Sequence, residues 1–173
     1  MKEIAIRPAT EADSGAMWAI FQELIASGDS FYFAADTSRE DCHGYWFGPG
    51  VQTFVAILNQ DRLVGMYRLV ANQRDRGAHV ANASFMVSPA AQGVGVGTLL
   101  GADCLARART QGYLAMQFNY VVSSNMPAVL LWKKLGFSIV GTLPRAYHHQ
   151  HLGYVDVYVM YQLLEDPSHW PDA

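Results

Sequence analysis

Between Arg76 and Lys133 the chain carries only three ionised residues, Asp103, Arg107 and Arg109. A stretch this long with so little charge has to be buried. Ser88, Pro89, Gln92 and the glycines at 93, 95, 97 and 101 interrupt the apolar run, which argues against a membrane span. The remaining reading is strands buried on both faces, the pattern of parallel strands covered by helices. Composition agrees: 51% of residues are hydrophobic and 16% charged, ample for one sizeable core. At 173 residues the chain is about one domain long, so a single domain over 1–173 is expected.

The net charge of −3 argues against nucleic acid, because a phosphate-tracking surface needs a clustered positive excess. It also offers no polybasic handle for an anionic membrane. Cys42 and Cys104 are too few for a disulfide framework and lack CxxC spacing, which points to a cytoplasmic location. Glu3 and Arg7 interrupt the opening residues, so no secretory signal is expected there. Neither nucleic acid nor a membrane is expected as a partner, and a homodimer remains open.

Glu3 to Arg7 reads as a strand, and Thr10 to Asp13 as a capped helix start followed by Met17, Ile20, Phe21, Leu24 and Ile25 at helical spacing. Thr37 to Glu40 reads as a second capping box, opening a helix that ends near Gly48-Pro49-Gly50. Thr53–Leu58, Leu63–Val70 and His79–Val87 form an expected antiparallel meander, with a turn at Asn59-Gln60-Asp61-Arg62. A helix from about Gly95 to Thr110, a strand from Leu114 to Val122 and a helix capped by Asn125 follow. Phe137–Thr142 and Val155–Leu164 are the last strands. The order β-α-α-β-β-β-α-β-α-β-β implies an α/β fold with a mixed sheet.

The loop Gln92-Gly93-Val94-Gly95-Val96-Gly97-Thr98 lies between a strand and a helix. Its glycines permit positive φ and close approach of a ligand, and successive N–H groups at a helix start form an anion site. Neither the P-loop, which needs a lysine, nor the G-x-G-x-x-G dinucleotide fingerprint fits this spacing. Gln92-x-x-Gly95-x-Gly97 resembles instead the Q/R-x-x-G-x-G/A loop of the GCN5-related N-acetyltransferases. Two further segments carry the likeness. Ile6-Arg7-Pro8-Ala9 resembles the family's opening, and Asn125 to Phe137 resembles its N-x-x-A-x-x-L-Y-x-x-x-G-F segment. Asn82–Val87, Phe118–Val121 and Tyr154–Asp156 resemble, more specifically, the azetidine-carboxylate (proline-analogue) acetyltransferase branch.

The resemblance implies a mostly antiparallel sheet, splayed at the cofactor site, with helices on both faces. It implies acetyl-CoA as co-substrate, with Met86 and Val87 supplying backbone contacts. Gln92 to Thr98 would hold the pyrophosphate, and Asn125 the pantetheine arm. The acceptor would be the amine of a small molecule such as an amino acid. Two alternatives stay open: a peptide or protein N-terminus as acceptor, and a non-catalytic acetyl-CoA-binding sensor.

The strand His79–Val87 has no carboxylate where many relatives place a glutamate base, and Trp132 stands where they often have a tyrosine acid. Either coenzyme A leaves as the thiolate, or another hydroxyl serves, with Tyr120, Ser123 and Ser124 as unranked candidates. Asn82, Ser84 and Met86 should share one strand face, and Gln117, Asn119 and Val121 another. Amides are rare in strands, so Asn82 and Asn119 suggest a polar cleft, the alternative being that they satisfy a sheet edge or buried water. The resemblance to the azetidine-carboxylate branch implies a catalytic and substrate-binding role for both. His148, His149 and His151 have no metal-ligand geometry in a loop, so no metal is expected. That loop, with Arg145, Tyr147 and Tyr154, is expected to overlie the acceptor pocket.

Overall fold

The computed structural model describes residues 3–170. Its elements are β1 (Ile4–Pro8), α1 (Ser14–Ala26), α2 (Arg39–Phe47), β2 (Gln52–Leu58), β3 (Arg62–Ala71), β4 (Val80–Val87), α3 (Val96–Thr110), β5 (Ala115–Val122), α4 (Met126–Lys134), β6 (Ser138–His149) and β7 (Gly153–Leu163). One seven-stranded sheet runs β1-β2-β3-β4-β5-β7-β6.

Only β4 and β5 pair in parallel; the other neighbours are antiparallel. The charge-poor segments are buried on both sides because helices cover both faces, not because the sheet is parallel throughout. Along β2, Phe54, Ala56 and Leu58 join the cluster beneath α3 and α4. Val55 and Ile57 join the cluster beneath α1 and α2.

Two sequence boundaries move, and one strand face changes. The second capping box is set one residue later: Ser38 Oγ accepts from Asp41 N (3.0 Å) and donates to Asp41 Oδ2 (2.6 Å). β6 runs on to His149, with register shifts after Ile139 and Leu143 absorbing the residues that hid it. His148 and His149 therefore pair with Tyr154 and Gly153 inside a long hairpin rather than lying in a loop. A bulge also stands in β5 between Phe118 and Val121. Val121 consequently packs in the same cluster as Phe118 and does not share a face with Asn119.

α3 is fixed on the sheet by a partly buried polar contact. Tyr67 OH donates to Asp103 Oδ2 (2.6 Å), and Arg107 Nε donates to the same oxygen (2.8 Å). The Arg107 guanidinium also lies 4.1 Å from the centre of the Phe54 ring. Against α4, two glycines one turn apart permit close approach. A Cβ on Gly97 would stand 3.2 Å from Leu131 Cδ2, and one on Gly101 would stand 2.5 Å from Leu135 Cδ1. Cys42 and Cys104 are buried free thiols, as their sequence context suggests.

At the start of α1, Arg7 Nη1 and Nη2 donate to Asp13 Oδ2 and Oδ1 (both 2.8 Å), and Thr10 N donates to Oδ2 (2.8 Å). The guanidinium, more than any other neighbour, lowers the Asp13 carboxyl to about 2. Because this pKa is depressed in the fold, the stabilisation is present above the ordinary carboxylate range and is lost as pH falls through about 2. Asp13→Asn should cost about 1 kcal/mol near neutral pH, Arg7 being half-exposed and screened. Denaturant unfolding at several pH values should show that difference shrinking on acidification.

Candidate active site

β4 and β5 pair only at Val80↔Ala115 and Ala81↔Met116, then part. On the other side of β4, Val80 O accepts from Asn72 N (2.7 Å) and Ser88 N donates to Val64 O (2.9 Å). In an antiparallel ladder alternate residues turn both backbone groups to the same neighbour. Asn82, Ser84 and Met86 therefore turn theirs to β3. Ala83, Phe85 and Val87 turn theirs into the gap, where no strand meets them.

The gap opens onto a cleft of about 1020 Å³ walled by Val87, Gln92, the glycine loop, Asn125 and Trp132. Gly93 and Gly95 take positive φ (77° and 88°), and a Cβ on either would meet nothing within 4 Å. This geometry aims the start of α3 at open space. Leu99 N makes the first bond back to the cap, at Gly95 O (3.1 Å). The N–H groups of Val96, Gly97 and Thr98 thus have no carbonyl behind them, a ready anion site at the positive end of the helix. Asn125 spends its side-chain oxygen on Ala128 N (3.3 Å), capping α4.

A second, smaller pocket of about 240 Å³ lies across the gap and shares Phe85, Asn125, Ala128 and Trp132 with the first. Asn82 Nδ2 donates to Gln117 O (2.9 Å), bridging the parted strands. Gln117 Nε2 donates to Asn119 Oδ1 (2.8 Å), and Asn119 Nδ2 to Asn72 Oδ1 (2.7 Å). Phe31 and Tyr32 form the roof. Their loop is tied to the β6–β7 arm by Tyr147 OH on Phe31 O (3.1 Å) and Gln150 N on Gly28 O (3.0 Å).

The model of the Acetyltransferase (GNAT) family matches residues 17–137. This chain belongs to the acetyltransferase (GNAT) family. It is 33% identical to the N-acetyltransferase aca1 of Schizosaccharomyces pombe over 98 residues, 56% of this chain and 47% of the relative. The chain thus spans about half the length of that relative. It is 30% identical to the L-amino acid N-acetyltransferase AaaT of Escherichia coli over 112 residues, 65% of this chain and 68% of the relative. A GCN5-related N-acetyltransferase from Kribbella flavida superimposes with TM-score 0.88 at 38% identity, covering 92% of this chain and 97% of that one. The Salmonella typhimurium acetyltransferase yncA, solved with its cofactor acetyl-CoA, shares the fold at TM-score 0.84 and 22% identity, with 99% of both chains covered.

Not every residue nominated for a GNAT site lies where the sequence suggests. Val87, Gln92, Gly93, Gly95, Val96, Gly97, Thr98 and Asn125 line the larger cleft. Val94 points outward, exposed, and Met86 is buried under α1 and α2 with its backbone turned to β3. Phe85 and Val87 are the residues whose main chain faces the gap. Asn82 and Asn119 both line the smaller pocket. Arg145 does not line it: the residue sits exposed in a β6 bulge, its N–H donating to Asp156 Oδ1 (2.9 Å). Tyr154 is also exposed and stacks on His148 at 4.7 Å.

Of the three substitute hydroxyls, Tyr120 donates to Ala146 O and Ser123 lines neither cleft. Ser124 lines the larger cleft, and its buried Oγ has no partner. Tyr45 and Arg68 are among the pocket residues that the sequence reading does not single out. The available signal was Arg68 itself, the one charge inside the apolar run Leu63–Val70.

Asn82 and Asn119 should separate on stability. Asn82→Ala leaves the Gln117 carbonyl unpaired beside the gap and should cost about 1–2 kcal/mol. Asn119 is exposed, so Asn119→Ala should stay within about 0.5 kcal/mol of wild type. Urea midpoints at unchanged slope measure both.

Proposed function

We propose that the protein transfers the acetyl group of acetyl-CoA to the amine of a small molecule such as an amino acid or amino-acid analogue, with residues 1–173 acting as one domain. The observation that carries this reading is the meeting of two cavities at the parted strands. One is large and offers free backbone N–H groups; the other is small, aromatic and amide-lined. The small volume supports a compact acceptor over a protein N-terminus. The name of the Escherichia coli relative supports amino acids, and the likeness to the azetidine-carboxylate branch adds secondary amines to the candidates.

The donor fits the larger cleft on its own terms. A pyrophosphate matches the bare N–H groups of Val96, Gly97 and Thr98, and an extended amide-bearing arm matches the unpaired main chain of Phe85 and Val87. When bound, acetyl-CoA supplies the thioester that the amine attacks. The Val87 N–H is the main-chain donor available to an oxygen gaining charge. Asn82 and Asn119 orient the amine from the opposite wall. The departing sulfur needs little help as a thiol of pKa ~8.5.

Gly95→Asp tests the donor site by placing a carboxylate where the pyrophosphate would lie. Equilibrium binding of acetyl-CoA should weaken about 10-fold or more. Gly112→Asp is the control: it has a similar positive φ (81°) and open surroundings at the far end of α3, and should bind as wild type does. A folded Gly95→Asp variant with wild-type affinity would refute this reading of the loop.

A further inference from the structure

Arg68 stands on β3 directly opposite Ser84, one same-face step from Asn82, with its side chain lining the smaller pocket. Its guanidinium is half used. Nη1 donates to Tyr45 O (2.8 Å), and the Tyr45 ring lies 4.0 Å beneath the guanidinium carbon. Tyr45 is held in turn through its hydroxyl, hydrogen-bonded to Ser84 Oγ at 2.6 Å. Nε, on the opposite edge, is buried with no partner. Among the described residues no carboxylate lies within ion-pair distance of Arg68. The protein thus leaves a partly buried cation without a counter-charge, an arrangement that is costly unless something else supplies the charge.

Nη2, which makes no hydrogen bond among the described residues, stands on the edge with which an arginine takes a carboxylate; Nε beside it is covered, so Nη2 is the donor left to the pocket. The ring of Tyr45 and the Nη1 bond hold the fork in place beforehand, which lowers the cost of ordering it on binding. We propose that Arg68 binds the carboxylate of the acceptor, so that the pocket selects amines that also carry an acid group. This inference rests on the small-molecule acetyl transfer proposed above. The arrangement gives the substrate a fixed direction: acid on Arg68 at the β3 side, amine toward Asn82 and the parted strands.

The test compares an amino acid with its own amide, which keeps the amine and side chain but loses the negative charge. Coenzyme A release is followed for wild type, Arg68→Gln and Arg68→Lys, alongside melting temperature and acetyl-CoA affinity. Wild type should favour the acid about 10²-fold in kcat/KM. Arg68→Gln should lose about that factor on the acid and change little on the amide. Arg68→Lys, which retains the charge without the fork, should fall between. Equal losses on acid and amide would make Arg68 a strut for Tyr45 and overturn the proposal. So would a wild type that acetylates acid and amide equally well, although acetyl transfer itself would then stand. No release with any acid or amide would overturn the acetyl-transfer reading together with this one. If Arg68→Gln fails to fold, the wild-type preference and the Arg68→Lys variant still decide the matter.

Discussion

The two-residue length of the β4–β5 pairing is the constraint on which the rest of the molecule depends. A sheet that opens in its middle exposes backbone donors and acceptors that would otherwise be paired, and such groups are costly to leave dry. The protein manages the opening from three sides. Asn82 replaces one ladder bond with a side-chain bond to Gln117 O. Phe85, Phe118 and Trp132, with ring centres 4.7–5.9 Å apart, fill the space beneath it. The remaining edge, at Phe85 and Val87, is left facing a cleft.

Such an opening is useful only if the start of α3 is aimed into it. Two packing devices ensure this. Asp103, receiving Tyr67 and Arg107, ties the middle of α3 to β3, while Gly97 and Gly101 let α4 lie close alongside. The glycines of the loop thus divide into two kinds. Gly93 and Gly95 are needed for their backbone angles, and Gly97 for the room it leaves to Leu131. Spacing alone presents them as one motif.

Much of this was legible in the sequence because it rests on local signals. The order of elements followed from periodicity and caps, and the glycine loop from its place between strand and helix. The parting of β4 from β5 has no local signal; it was available only through family resemblance, since it is a relation between strands distant in sequence. In the sequence β6 looks short because Gly141 and Pro144 imitate a strand end, whereas the protein bulges there and continues. Arg145 attracted attention through its aromatic neighbours in sequence, yet Arg68 is the arginine in the pocket. Registry with Ser84 and contact with Tyr45 put it there, and neither is visible before strands and helices are assembled.

The smaller pocket is lined by amides, hydroxyls, aromatic rings and one arginine, with no carboxylate or histidine on its wall. His149 stands on the wall of the larger cleft, and its Nδ1 already accepts from the N–H groups of His151 and Leu152 (3.1 and 3.3 Å). The wall of the smaller pocket therefore offers an amine hydrogen-bonding groups and no carboxylate or imidazole base, the carboxylates Glu23 and Asp29 standing on the larger cleft. Under the proposed transfer, an amine in that pocket would give up its proton to water or to a group beyond this wall. The rise of turnover with pH would then follow the substrate's own basicity, and two substrates of different basicity would trace two different profiles on one unchanged protein.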